Sequence, residues 1–318
     1  MDGLEYAECR GATTMNRRSR SAPRRWRGWM AFAALSTLLS CACMEHARLG
    51  ANEDTGPDPV LVQPTPQGLM PTVDIAPAEG WAIGEAPVAA DGLRVTRFAD
   101  GLQHPRWLHV LPNGDVLVAE SNAPADKSGY DGLKGVVMKQ VMKRAGAGVP
   151  SADRIALLRD AAGDGVAETR SVFLQDLHSP FGMALVGGIL YVANANAIVG
   201  VPYREGATRA GTKPETLLEL PGKGEELNHH WTKSLLASRD GTRLYVGVGS
   251  NSNIGENGMD VEAGRAAIHE VDIASGRSRV FATGLRNPVG LAWRSGTDEL
   301  WVVVNERDAL GGDLVPIT

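Results

Sequence analysis

The sequence predicts an all-β fold, a β-propeller, and three observations predict it. Glycine (38) and proline (18) together exceed a sixth of the 318 residues, a turn-rich composition that favours many short elements joined tightly. Four segments share one pattern of turn, apolar strand, polar or glycine turn, and second apolar strand. Their starts, at 105, 180, 230 and 287, lie 75, 50 and 57 residues apart, which fits blades of four strands arranged around a central channel.

The first stretch reads as an export signal. Arg17, Arg18, Arg20, Arg24, Arg25 and Arg27 precede an apolar run from Met30 to Leu39, a charged region followed by a hydrophobic one too short to span a bilayer as a helix. Leu38-Leu39-Ser40-Cys41 resembles a bacterial lipobox, which implies cleavage before Cys41 and a lipid on its thiol. The expectation is export to the periplasm with a lipid anchor at Cys41, residues 1–41 forming the signal. Met15 is an alternative start to Met1, because residues 1–14 look unlike a signal. The three cysteines are Cys9, Cys41 and Cys43, so the rest of the chain has no thiol for a disulfide or a cysteine metal site.

Residues 42–92, with Gly56-Pro57-Asp58-Pro59 and Gln63-Pro64-Thr65-Pro66, lack periodicity and read as a proline-rich tether. The propeller domain is expected over 93–318. Its composition, 43% hydrophobic and 22% charged over the whole chain, excludes a disordered or collagen-like protein. A net charge of −5, from 32 basic and 37 acidic residues, gives nucleic-acid binding no global electrostatic support.

The hairpins follow in order. Asn113-Gly114 separates the strands of 105–120, Gly187-Gly188 those of 180–194 and Asp240-Gly241 those of 230–249, while Gly296 marks the turn of 287–305. Such dipeptides between apolar runs are strong hairpin signals. After the first hairpin, residues 126–150 form an insertion with a helical pattern: Val137 and Val141, and Met138 and Met142, are four apart. It reads as an amphipathic helix covering a blade edge, with a basic substrate-guiding lid as the alternative. Asp160-Ala-Ala-Gly-Asp164-Gly165-Val-Ala-Glu168 has the look of a calcium loop, but Ala162 stands where an oxygen ligand belongs. It reads mainly as a turn. Another strand is expected to begin near Leu314, so the propeller is expected to be incomplete at its C-terminus, with about four to five blades. A complete small propeller or an open sandwich is the alternative.

The run Leu285-Arg286-Asn287-Pro288-Val289-Gly290-Leu291-Ala292-Trp293, with His230 ahead of a strand ending in Gly247-Val-Gly249, resembles the soluble quinoprotein sugar dehydrogenases. The passages 113–120, 164–169 and 179–184 resemble the L-sorbosone dehydrogenase group. The resemblance covers about residues 93–318. It implies a six-bladed propeller that uses pyrroloquinoline quinone (PQQ) and Ca2+ to oxidise an aldose or sugar-derived aldehyde in the periplasm, passing electrons to a periplasmic acceptor. It assigns His230 as the base and Arg286 as a quinone-contacting catalytic residue, with Arg286, Asn287 and Asp313 binding the cofactor. It places calcium at the loop 305–313, through Glu306 and Asp308, although Arg307 and Asp308 depart from the loop of the glucose-oxidising members.

The chemistry agrees with these residue types. Oxidising a hydroxyl-bearing carbon removes a proton from oxygen while a hydride leaves carbon, so a base must sit beside an electrophilic acceptor. An imidazole suits that task near neutral pH. His229 and His230 are adjacent, and alternation on a strand would send them to opposite faces, so only one would face the channel. A guanidinium at Arg286 can pair with carboxylates and stabilise negative charge on a quinone oxygen; the Leu-Arg-Asn-Pro run also reads as a structural turn. Two other classes stay open: a calcium-dependent propeller lactonase using Glu120, Asn194, Asn251 and Asn305 at strand ends, and a non-catalytic propeller binding module.

Overall fold

The computed structural model describes residues 50, 53, 57–58, 60, 76–82, 84–124, 140, 142–147, 149–221, 230–253 and 255–307. The signal segment with Cys41, most of the tether, most of the insertion, His229, Asp308 and Asp313 lie outside them.

Every described strand belongs to an antiparallel meander. The first sheet runs β1 (Pro105–Val110), β2 (Val116–Glu120), β3 (Arg154–Arg159) and β4 (Thr169–Leu174), each hydrogen-bonded to the next. The second runs β5 (Met183–Val186), β6 (Ile189–Ala193), β7 (Ala197–Pro202) and β8 (Glu215–Glu219). The third runs β9 (Leu235–Ala237), β10 (Arg243–Val248), β11 (Ala267–Asp272) and β12 (Ser278–Thr283), and β13 (Asn287–Trp293) pairs with β14 (Leu300–Asn305) in a fourth. The leading strands approach one another in order, β1 beside β5, β5 beside β9 and β9 beside β13. That succession of sequence-contiguous meanders is blade architecture.

The four expected hairpins are the first two strands of the four sheets. Gly187 and Gly188 both have positive φ, 56° and 78°, as a two-residue type I′ connection requires. Within the expected helical insertion, Gln140 and Met142–Arg144 are helical. Among the described residues no helix is long and apolar enough to cross a membrane.

Blade packing follows from the period of two. In β6, Leu190 and Val192 join Leu117, Leu157 and Phe173 of the first sheet, whereas Tyr191 and Ala193 join Leu235, Leu244 and Val246 of the third. Both faces of β6 are therefore buried, which is why Ile-Leu-Tyr-Val-Ala reads as a continuous apolar run and not as an alternating one. Phe98, Ala99 and Leu102 pack on Val118, Ala156 and Leu158, and Ala167 N donates to Phe98 O at 2.8 Å. At the two outermost faces Leu108 and Val110 of β1, and Trp301 and Val303 of β14, are exposed.

Neighbouring sheets meet through glycine. Between the second and third sheets Gly182 N donates to Lys233 O at 3.0 Å, while within the third sheet Gly247 N donates to Ser234 O at 3.0 Å. A Cβ at Gly247 would lie 2.5 Å from both Pro288 O and Ser234 Oγ, so backbone, not a flexible tip, would have to move. Gly247→Ala is expected to lower unfolding free energy by about 1–3 kcal/mol, the usual cost of overpacking, seen as a reduced urea midpoint at unchanged slope.

Candidate functional site

The first two strands of the third sheet and the fourth hairpin bring the expected residues together around one loop, Ser250–Asn253. His230 does not sit on a strand, as the alternation argument assumed: β9 begins at Leu235, and His230 lies in the extended approach to it. Its Nδ1 is 3.0 Å from Ser250 O and 3.2 Å from Ser250 Oγ. A carbonyl oxygen can only accept, and the Ser250 hydroxyl gives its proton to Ser252 O at 2.6 Å. Both contacts therefore require Nδ1–H, which leaves the imidazole lone pair on Nε2.

Gly249 lets this arrangement close. A Cβ there would collide with His230 Cβ and lie 2.7 Å from Asn287 Oδ1. Asn287, the first residue of β13, is buried, and its Oδ1 has no hydrogen-bond partner among the described residues. His230 and Asn287 thus flank one glycine.

Arg286 is the clamp beneath them. Ser250 N donates to Arg286 O at 2.7 Å. The guanidinium donates through Nε to Asn253 O (2.9 Å), through Nη2 to Asn253 Oδ1 (2.8 Å), and through Nη1 to Asn305 O (3.2 Å) and Glu306 O (2.5 Å). One cation so joins the loop after β10 to the loop after β14. The Glu306 main chain belongs to the cluster through this bond, and Glu306 itself is exposed. His230, Arg286, Asn287 and Glu306 come together, while Asp308 and Asp313 are not placed.

Three supporting residues escaped the sequence reading. Glu262, on a short 3-10 helix Met259–Glu262, accepts from Asn251 N (2.8 Å) and Ser252 Oγ (2.7 Å) and so holds the loop. Ser250 fixes the imidazole. Lys233 is fully buried and its Nζ donates to His230 O (2.9 Å) and Trp231 O (3.2 Å). A cation inside the otherwise uncharged run Trp231-Thr-Lys-Ser-Leu-Leu236 was the available signal, as was the Ser/Asn run after Gly249.

Burial, and then the charge of Arg265, push the Lys233 ammonium down to about 7. An unfolded lysine stays protonated up to about 10.4. Between those values the unfolded chain holds a proton that the folded chain has released, so this group makes stability rise with pH through that window and adds no slope below it. Urea midpoints at pH 7 and 9 should show that rise, and Lys233→Met should flatten it.

The other strand-end and loop groups have local partners. Glu120 is fully buried and ion-paired with Arg154 and Arg170, which removes it from the channel set considered for a lactonase. Asp160 accepts from the amides of Gly163, Asp164 and Gly165, and Glu168 from those of Ala161 and Ala162. The carboxylates of Asp160, Asp164 and Glu168 do cluster, but this internal bonding makes the segment a self-closed turn.

The TrAA12-like family model matches residues 151–318. A pyrroloquinoline quinone-dependent sugar dehydrogenase of Hypocrea jecorina is 25% identical over 238 residues, 71% of this chain and 48% of that protein. The holo form of the pyranose dehydrogenase PQQ domain from Coprinopsis cinerea aligns with a TM-score of 0.52 at 21% identity, over 69% of this chain and 48% of that one. The calcium structure of the Trichoderma reesei family AA12 enzyme aligns at 0.53 and 22%, over 71% and 53%. The chain spans about half the length of the curated relative it matches.

Proposed function

Because the chain belongs to the TrAA12-like family, with a match that spans His230, Arg286 and Asn287, we propose that it is a quinoprotein dehydrogenase. Its substrate is an aldose or sugar-derived aldehyde such as a sorbosone-like compound, and its cofactor is PQQ. The observation that carries this reading is the imidazole of His230, held as the Nδ1–H tautomer 3.0 Å from Ser250 O and beside the only buried side-chain acceptor of this cluster without a hydrogen-bond partner among the described residues, Asn287 Oδ1.

The donor set suits an anionic quinone. Asn287 offers an acceptor to a ring N–H, and the Arg286 guanidinium, bonded here to Asn253, Asn305 and Glu306, puts a positive charge beside it that favours an anionic ligand. PQQ, when bound, supplies the electrophile that takes the hydride. The rest falls to the protein. His230 Nε2 takes the proton from the oxygen borne by the carbon that loses the hydride, Ser250 keeps the proton of Nδ1 in place as charge develops, and the positive charge of Arg286 favours negative charge building up in the site.

Ca2+ held with help from Glu306 and Asp308, cofactor contact by Asp313, export to the periplasm, a lipid anchor at Cys41 and a periplasmic electron acceptor complete the proposal. They rest on the sequence motifs alone. The test is titration of the full-length protein with PQQ and Ca2+, followed by absorbance and by aldose-dependent dye reduction. Saturable binding with sugar-dependent reduction is the expected result. No binding at all would discard the dehydrogenase and leave the calcium-dependent lactonase or a non-catalytic propeller.

A further inference from the structure

Lys233 stands two residues ahead of β9, and none of its surface reaches solvent. Its main chain is fixed from outside the sheet, because Gly182 N, in the approach to β5, donates to Lys233 O at 3.0 Å. The next residue is tied the other way: Ser234 O accepts from Gly247 N at 3.0 Å, and Ser234 Oγ donates to Pro288 O at 3.1 Å. The backbone at 233–234 is thus a rigid post between three sheets. From that post the side chain turns back along its own chain to the carbonyls of His230 and Trp231, at 2.9 and 3.2 Å.

A buried ammonium needs partners, because its desolvation is costly. Among the described residues Lys233 has no ion pair with a carboxylate, and the charge that reaches it is the like charge of Arg265. Its partners are two carbonyls that belong to the candidate base and its neighbour. A merely space-filling role would be served by methionine or leucine at no such cost. What the ammonium adds is a fixed direction for the peptide planes of His230 and Trp231, and that direction sets where the His230 ring leaves the backbone.

We propose that Lys233 is a positioning residue for His230: its Nζ–H donors pin the carbonyls of His230 and Trp231 while Ser250 holds Nδ1 from the side, so that Nε2 faces the substrate hydroxyl in one tautomer. This rests on the reading of His230 as the base. Ring orientation is then over-determined, by Ser250 at the imidazole and by Lys233 at the main chain. Loss of the second restraint lets the ring exchange tautomers and drift, and a drift of about 1 Å from productive geometry costs on the order of 100-fold in rate.

The experiment compares the full chain with Lys233→Met, Lys233→Gln and Lys233→Arg. Imidazole 15N shifts are recorded in the cofactor-free protein, with the His230 signals identified by their absence in His230→Gln. In the wild type, His230 should show a protonated Nδ1 and an unprotonated Nε2. In Lys233→Met the two nitrogens should average, and in the PQQ-loaded enzyme kcat should fall about 100-fold with KM and PQQ affinity within about threefold. Lys233→Arg, which keeps charge and donors, should restore the tautomer and most of kcat. A folded Lys233→Met protein with wild-type kcat and a single His230 tautomer overturns the proposal. If that variant does not fold, Lys233→Gln decides by the same two readouts, since its shorter neutral side chain cannot span both carbonyls. Failure of the underlying reading shows separately, as a wild-type protein with an ordered His230 that reduces no dye with any aldose.

Discussion

Replacing His230 with glutamine should lower aldose turnover by about 100- to 10,000-fold, the range lost with a general base, while PQQ binding stays within a few-fold of wild type. Glutamine keeps a donor near Ser250 O, the partner of His230 Nδ1 at 3.0 Å, so the loop 250–253 should keep its shape. What disappears is a lone pair able to accept a proton near neutral pH. The split between a large loss in kcat and a small change in binding separates a base from a residue that merely holds cofactor. Dye-reduction kinetics beside a PQQ titration of the same sample makes the comparison, and a variant that turns over normally sinks the assignment. Arg286 should behave differently. Its guanidinium joins Asn253 to Asn305 and Glu306, so Arg286→Met should weaken both binding and the register of the two loops.

The largest stability effect is expected at Glu120. Its carboxylate is wholly buried at the end of β2, ion-paired with Arg154 Nε and, at 3.3 Å, with Arg170 Nη2, and it accepts from Gln103 N at 3.0 Å. Glu120→Ala strips the partner from two guanidinium groups and leaves a hole between them. Breaking a buried ion pair from one side costs about 3–5 kcal/mol. The figure here should sit near about 3 kcal/mol, because Arg154 and Arg170 are 25% and 38% exposed and can partly rehydrate. Urea unfolding of the variant checks it. PQQ affinity should change little, since the ion cluster belongs to the first sheet and the candidate site is built on the third and fourth.

The four hairpins were legible because each is announced locally, by Asn113-Gly114, Gly187-Gly188, Asp240-Gly241 or Gly296 between apolar runs. The remaining strands are harder to read for physical reasons. β3, Arg-Ile-Ala-Leu-Leu-Arg, is buried on both faces and shows no alternation to separate strand from helix. β12, Ser-Arg-Val-Phe-Ala-Thr, is largely exposed and carries little apolar signal. In the site, Arg286 and Asn287 stood out through the Leu-Arg-Asn-Pro run, and His230 through its place ahead of a hairpin. Ser250, Glu262 and Lys233 did not, because their roles come from side chains folding back onto loop main chain and hydroxyls within the third sheet, which no apolar period or turn dipeptide encodes. At His230 the expected strand is absent, for a reason that is likewise not local. The Gly182 to Lys233 bond and the Ser234 to Gly247 and Pro288 bonds hold that stretch, and β9 shortens to three residues.

Each sheet is also complete within one unbroken stretch of sequence, 105–174 for the first and 183–219 for the second. A chain emerging residue by residue from the ribosome can therefore zip one sheet before the next has been synthesised, and each newcomer finds a finished apolar face on which to condense. Loop-closure entropy is met in small local instalments, which keeps the folding barrier low for an all-β protein. The unzipping order under tension or heat should run sheet by sheet as well, with amide-exchange protection rising and falling in blocks bounded by the gap between residues 174 and 183 and the gap between 219 and 235.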